Sequence, residues 1–163
     1  MVENYRPISV LSIVNTVFEK LLVRLFSYFL KKYGILDAAQ HGFRNGMSTA
    51  TAVFAVTDRI NDALNNSYYS AGLFIDLRKA CETVSHGILL QKLFSYGFRG
   101  TTLRLLRSYL SSRTMFTSIC GVSSPSVPIS IGVPQGSVLG SLLFSFYFND
   151  LPLVSDKLST VMY

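Results

Sequence analysis

Residues 138–149 read Val-Leu-Gly-Ser-Leu-Leu-Phe-Ser-Phe-Tyr-Phe-Asn, without a single charge. A helix built from them carries apolar groups on nearly every side and must be wrapped by other elements. It is too short to span a bilayer, which takes roughly 20 residues. The wider uncharged run, residues 114–149, is broken by Pro125, Pro128, Pro134 and several glycines. The mean hydropathy of +0.36 therefore points to a packed interior built around this helix and not to a membrane protein.

The elements expected around it follow from periodicity. Residues 11–32 place Ile13, Val14, Val17, Phe18, Leu21, Leu22, Leu25, Phe26 and Phe29 at helical spacing, interrupted by Glu19, Lys20 and Arg24. Gly34 is the expected stop. After a polar loop at 40–48, Ser48 or Thr49 is expected to cap a second helix that Asn65-Asn66-Ser67 ends. Residues 70–77 read as a short buried strand with Asp76 at its C-terminal end. Residues 88–96 and 103–110 read as helices, with His86 as a cap for the first. Residues 115–120 and 127–133 read as a hairpin-like pair around a turn at 121–126, and residues 158–163 as a final strand. No regular βαβ repeat emerges, so the fold class is α+β.

At 163 residues the chain suits one domain with a real core, and 49% hydrophobic content excludes disorder. The net charge of +6 favours an anionic partner, nucleic acid first, against a merely basic protein. Cys81 and Cys120 form neither a metal spacing nor a disulfide framework, and the N-terminus has no apolar signal region. An intracellular setting, nucleus or cytoplasm, is the expectation.

Several residues invite chemistry. Asp76, at the edge of an apolar strand, suits a metal ligand, because a lone buried charge is expensive; a plain strand-end cap is the alternative. Gly132-Val133-Pro134-Gln135-Gly136-Ser137 fixes a tight turn into a helix. Free amides there would favour phosphate, with Gln135 near a base or sugar; a simple Pro/Gly turn is the alternative. Arg6 is a fork-shaped donor suited to phosphate, or a solvated arginine. Arg44 sits beside Phe43 in the polar loop. Asp58 and Asp62 read as a solvated helix face, and His41 is assigned no role.

The order of these motifs is specific where each alone is not. Asn4-Tyr5-Arg6-Pro7-Ile8-Ser9, Gln40-His41-Gly42-Phe43-Arg44, Phe74-Ile75-Asp76-Leu77, Lys79-Ala80 and His86-Gly87-Ile88-Leu89-Leu90 come first. Residues 132–140 and Asn149-Asp150-Leu151-Pro152 complete the series. The chain resembles, over almost its whole length, the reverse transcriptase domain of non-LTR (LINE-type) retrotransposons of the Jockey or chicken-repeat kind.

That resemblance implies a right-hand polymerase fragment, with fingers at 1–70, palm at 71–113, a fingers hairpin at 114–134, an incomplete palm at 135–163 and no thumb. It implies RNA-directed DNA polymerase activity with Mg2+, or Mn2+, on an RNA template, a DNA primer and deoxynucleoside triphosphates. Asp76 matches the catalytic, metal-binding aspartate, and Leu77 a residue whose backbone carbonyl faces metal. Arg6, Lys79, Ala80, Cys81, Gln135 and Gly136 match nucleotide-binding positions. Arg44 matches a support for the fingers or template.

The chain also departs from the family. Lys79-Ala80-Cys81-Glu82-Thr83-Val84-Ser85-His86 stands where Lys-Ala-Phe-Asp-Thr-Val-Asp-His is usual, and Ser141 where proline is common. Cys81 replaces the aromatic that screens the sugar 2′-position. The resemblance places Ala-Asp-Asp directly after Tyr163 and a lysine several residues before Arg6. Asp76 is then the family's one metal-binding carboxylate within these 163 residues. The expectation is a polymerase fragment, inactive by itself. The alternatives are a non-catalytic nucleic-acid-binding remnant and a helical interaction protein with no nucleic-acid role.

Overall fold

The structure is a computed structural model that describes residues 8–163. Its elements run α1 (Ile13–Tyr33), α2 (Thr49–Asn65), α3 (His86–Ser95), α4 (Gly100–Leu110), β1 (Arg113–Met115), β2 (Ser118–Ile119), β3 (Val122–Ser123), β4 (Val127–Ile129) and α5 (Val138–Phe148). The expected central helix is α5. Leu139, Leu143 and Phe146 are fully buried. Both α1 and α3 pack against α5, and α4 packs on α3. Leu22, Phe26 and Leu30 come from α1, Leu89 and Leu93 from α3, and Leu106 and Leu110 from α4. Phe98, from the turn between α3 and α4, meets Phe26, Phe29 and Phe146 edge-on at 5.2, 5.1 and 5.3 Å between ring centroids.

Local signals explain the helix ends. The Ser12 hydroxyl caps α1 by accepting from the Asn15 amide at 3.2 Å. Gly34 ends it in the left-handed conformation, φ 58°, and its N–H donates to the Leu30 carbonyl. Ser48 caps α2 in a reciprocal box with Thr51. Helix α2 nevertheless stands away from the core: only Ala52 is buried, while Val53, Phe54 and Leu64 are exposed.

Two antiparallel ladders form the hairpin. Arg113 pairs with Ile129 and Met115 with Val127; further out, Ile119 pairs with Val122. The reversal lies at Cys120 and Gly121, with φ 49° and 82°, earlier than the expected turn at 121–126. Two consecutive positive φ angles match the twist of a two-residue hairpin.

Four expectations are corrected. Residues 70–77 form no strand, and Leu73, Phe74 and Ile75 are exposed. A strand is held by a ladder partner, and none of the described strands lies beside this segment. Residues 158–163 likewise form no strand; Met162 makes one isolated bridge with Gln40. His86 is not a cap: Ser85 holds the N-cap position of α3 without a side-chain bond, and His86 Nε2 lies 2.7 Å from the Gly132 carbonyl oxygen. Helix α4 begins at Gly100, three residues ahead of Leu103. No helix among the described residues is long and apolar enough to cross a membrane.

Candidate nucleotide and metal site

Two separate stretches of sequence are stitched together here. The Gly132 amide donates to the Val84 carbonyl and the Val133 amide to the Cys81 carbonyl, both at 2.8 Å. Ser85 and Ile131 extend the contact as an antiparallel bridge. Gly132 must be glycine for two reasons. Its φ is 89°, and a Cβ there would lie 2.9 Å from the Glu82 carbonyl oxygen. The loop continues through Gln135, whose carbonyl accepts from the Ser9 amide at 2.9 Å.

Lys79 precedes a short 3-10 turn, Ala80–Thr83, and adopts a left-handed φ of 56°. That conformation costs a lysine about 1 kcal/mol and directs its side chain along the turn. Its ammonium reaches the Glu82 carboxylate at 4.0 Å. Cys81 is half-buried against the core. Burial, and secondly the Glu82 charge, push its thiol pKa up, which disfavours the thiolate.

The expected anion site at the head of α5 is already filled. Glu19 of α1 is fully buried, and its Oε2 accepts from the Val138 and Leu139 amides at 3.0 and 3.2 Å. Its Oε1 accepts from the Tyr109 hydroxyl at 2.7 Å. The Ser137 hydroxyl takes a third amide, that of Gly140, at 2.8 Å. A carboxylate thus complements the positive end of α5 from inside the protein. Gly140 is equally constrained: a Cβ would meet the Ser137 hydroxyl at 2.5 Å.

Burial first, and then Glu19, push the Tyr109 phenol up to about 12 from 10.0. The folded protein therefore holds this proton more tightly than the unfolded chain does. The resulting stabilisation is complete below pH 10 and is lost as pH rises from about 10 to about 12. Denaturant titrations at several alkaline pH values should show a shallower decline for Tyr109→Phe than for the wild type. Parallel declines would exclude Tyr109 as the cause.

The remaining candidates lie apart. Asp76 and Leu77 sit on the exposed, irregular stretch. Arg6 lies outside the described residues. The Arg44 guanidinium donates to the Asp37 carbonyl at 2.7 Å and braces the loop between α1 and α2. In the same loop, Gln40 bridges to Met162, and the His41 amide donates to the Met162 carbonyl at 2.8 Å. Asp58 and Asp62 are exposed, as expected.

Asn149 and Asp150 turn out to be structural. The Asn149 side chain accepts from the Asp37 amide at 2.8 Å and donates to the Ile35 carbonyl at 2.9 Å. Asp150 pairs with Lys92 at 2.5 Å. Sequence reasoning missed Glu19. Its signal was available, because Glu19 shares the buried face of α1 with Leu22, Phe26 and Leu30.

No group of three or more His, Cys, Asp or Glu is gathered to hold a metal among the described residues. Asp76 would bring a single carboxylate to a cation site. Bridging two cations takes more carboxylate than that, so these residues do not fit a complete two-metal centre.

Comparison with known proteins gives this arrangement a context. The family described as reverse transcriptase (RNA-dependent DNA polymerase) matches residues 2–163. A probable RNA-directed DNA polymerase from transposon BS of Drosophila melanogaster is 37% identical over 153 residues, 92% of this chain. Its counterpart from transposon X-element is 36% identical over 149 residues, 91% of the chain. The RNA-directed DNA polymerase from mobile element jockey of the same species is 32% identical over 151 residues, 93% of the chain. The chain spans about 16% of the length of each of these relatives. The chain belongs to the reverse transcriptase family, of the non-LTR retrotransposon kind.

Proposed function

We propose that these 163 residues supply fingers and the first part of the palm to an RNA-directed DNA polymerase. The fingers comprise residues 1–70 and the hairpin 114–134, and the palm residues 71–113 and 135–163. Asp76 is the metal-binding carboxylate, aided by the Leu77 carbonyl. Arg6, Lys79, Ala80, Cys81, Gln135 and Gly136 hold the deoxynucleoside triphosphate, and Arg44 braces the fingers. The template is RNA, the primer DNA and the cation Mg2+ or Mn2+.

The observation that carries this reading is the pair of 2.8 Å backbone bonds joining Cys81 and Val84 to residues 132–133. They hold the turn after Asp76 against the Gln135 loop, so residues distant in sequence line one place. The left-handed Lys79 adds support, since strained residues gather at ligand sites. Glu19 refines the proposal. It takes the Val138 and Leu139 amides, so the triphosphate is met by the Lys79–Ala80 turn and by Arg6, not by the head of α5.

By itself the 163-residue chain is not expected to polymerise, because Asp76 alone cannot bridge two cations. Primer extension on poly-rA with Mg2+ or Mn2+ tests this. No incorporation above an Asp76→Ala control is expected. Template-dependent incorporation above that control would contradict it.

A further inference from the structure

From Thr83 to Asn149 the sequence holds Lys92, Arg99, Arg104, Arg107 and Arg113 and no aspartate or glutamate. Lys92 is spent on Asp150, and Arg113 stacks on Tyr109 with 4.9 Å to the ring centroid. Arg104 and Arg107 are different. Both are exposed on α4 at i and i+3, and neither enters an ion pair among the described residues. Side chains at that spacing are neighbours on one face.

Arg107 lines a groove of about 740 Å³ between α3 and α4, and Arg104 lies on α4 beside Leu103, another lining residue. The apolar lining is Leu90, Phe94 and Leu103; Gln91, Ser95 and Ser111 add polar groups. Arg99 stacks over Phe94 at 3.6 Å and sets another cation near that lining. Guanidinium forks, hydroxyls and an amide are the groups that hold phosphate. An apolar and aromatic surface beside them suits sugars and bases without regard to sequence.

We propose that the α3–α4 groove binds a single nucleic-acid strand, with Arg104 and Arg107 on its phosphates. The strand lies there as a second track for template or product. This rests on the reading that the chain works on nucleic acid, but not on Asp76 or on catalysis.

Fluorescence anisotropy of a labelled oligouridylate of about 16 nucleotides, over a salt series, is the test. For Arg104→Ala/Arg107→Ala, the slope of log affinity against log salt should fall by about 1.4, two phosphates at ~0.7 each. With affinities converging near 1 M salt, that slope corresponds to a Kd about 25-fold weaker at 0.1 M. Arg104→Lys/Arg107→Lys should keep the slope, which separates lost contacts from lost folding, and circular dichroism should match throughout. Lys31→Ala/Lys32→Ala removes as much charge elsewhere and should change binding far less.

If the wild type binds but Arg104→Ala/Arg107→Ala keeps its slope, the groove proposal fails and the polymerase reading stands. Equal weakening by the two lysine replacements, or equal competition by polyglutamate, would mean diffuse attraction and also overturn it. If the wild type binds neither oligouridylate nor an RNA–DNA hybrid at low salt, both fail together.

Discussion

Glu19→Ala is expected to destabilise the fold by about 2–5 kcal/mol, since it orphans donors that each cost about 1–3 kcal/mol. The fully buried carboxylate serves the Val138 and Leu139 amides and the Tyr109 hydroxyl at once. Alanine would leave the Val138 and Leu139 amides without that acceptor and the Tyr109 hydroxyl with only the Ser137 hydroxyl, at 3.5 Å. The loss falls at the head of α5, the helix around which the others pack. Glu19→Gln should cost less but still destabilise, because its NH2 cannot accept from an amide. Urea denaturation reads both effects. A loss below about 1 kcal/mol for Glu19→Ala would mean that the network is dispensable.

Phe146→Ala should cost about 3–5 kcal/mol, as large-to-small changes at buried aromatic sites do. Phe146 is fully buried, edge-on to Phe98 at 5.3 Å and stacked with Tyr96 at 5.9 Å. Phe74→Ala is the informative contrast. Phe74 is 85% exposed, so its removal should stay within about 0.5 kcal/mol. Read from the sequence alone, both phenylalanines belong to buried elements, and equal losses in a thermal or urea melt would restore the buried strand at 70–77.

That contrast marks how far the sequence carries. Helix α1, its Gly34 stop, a cap at Ser48 or Thr49 and the burial of α5 on most sides were legible because periodicity and capping are local. The hairpin was legible in its two arms, but its turn was placed late because the positive φ falls on Cys120 as well as Gly121. Residues 70–77 were not legible, since strand patterning names a face and never a partner. Glu19 was misread for a related reason. Beside Lys20 and Arg24 it looked like one more polar interruption, and only the approach of α5, 119 residues away in sequence, gives its carboxylate a use.

The candidate site divides along the same line. Motif order picked out the stretches that meet, residues 79–86 and 131–136. Side-chain chemistry did not show that the amides meant for phosphate would be taken by Glu19, or that Asn149 and Asp150 would serve as braces.

The most direct test of the polymerase proposal puts the chain into a longer enzyme. Residues 2–163 would replace the matching segment of the jockey polymerase of Drosophila melanogaster, and incorporation of deoxynucleotides on an RNA template would be measured with Mg2+. Incorporation that Asp76→Ala reduces to background is the expected result. Incorporation that persists unchanged in the Asp76→Ala chimera would show that this carboxylate does not hold the metal.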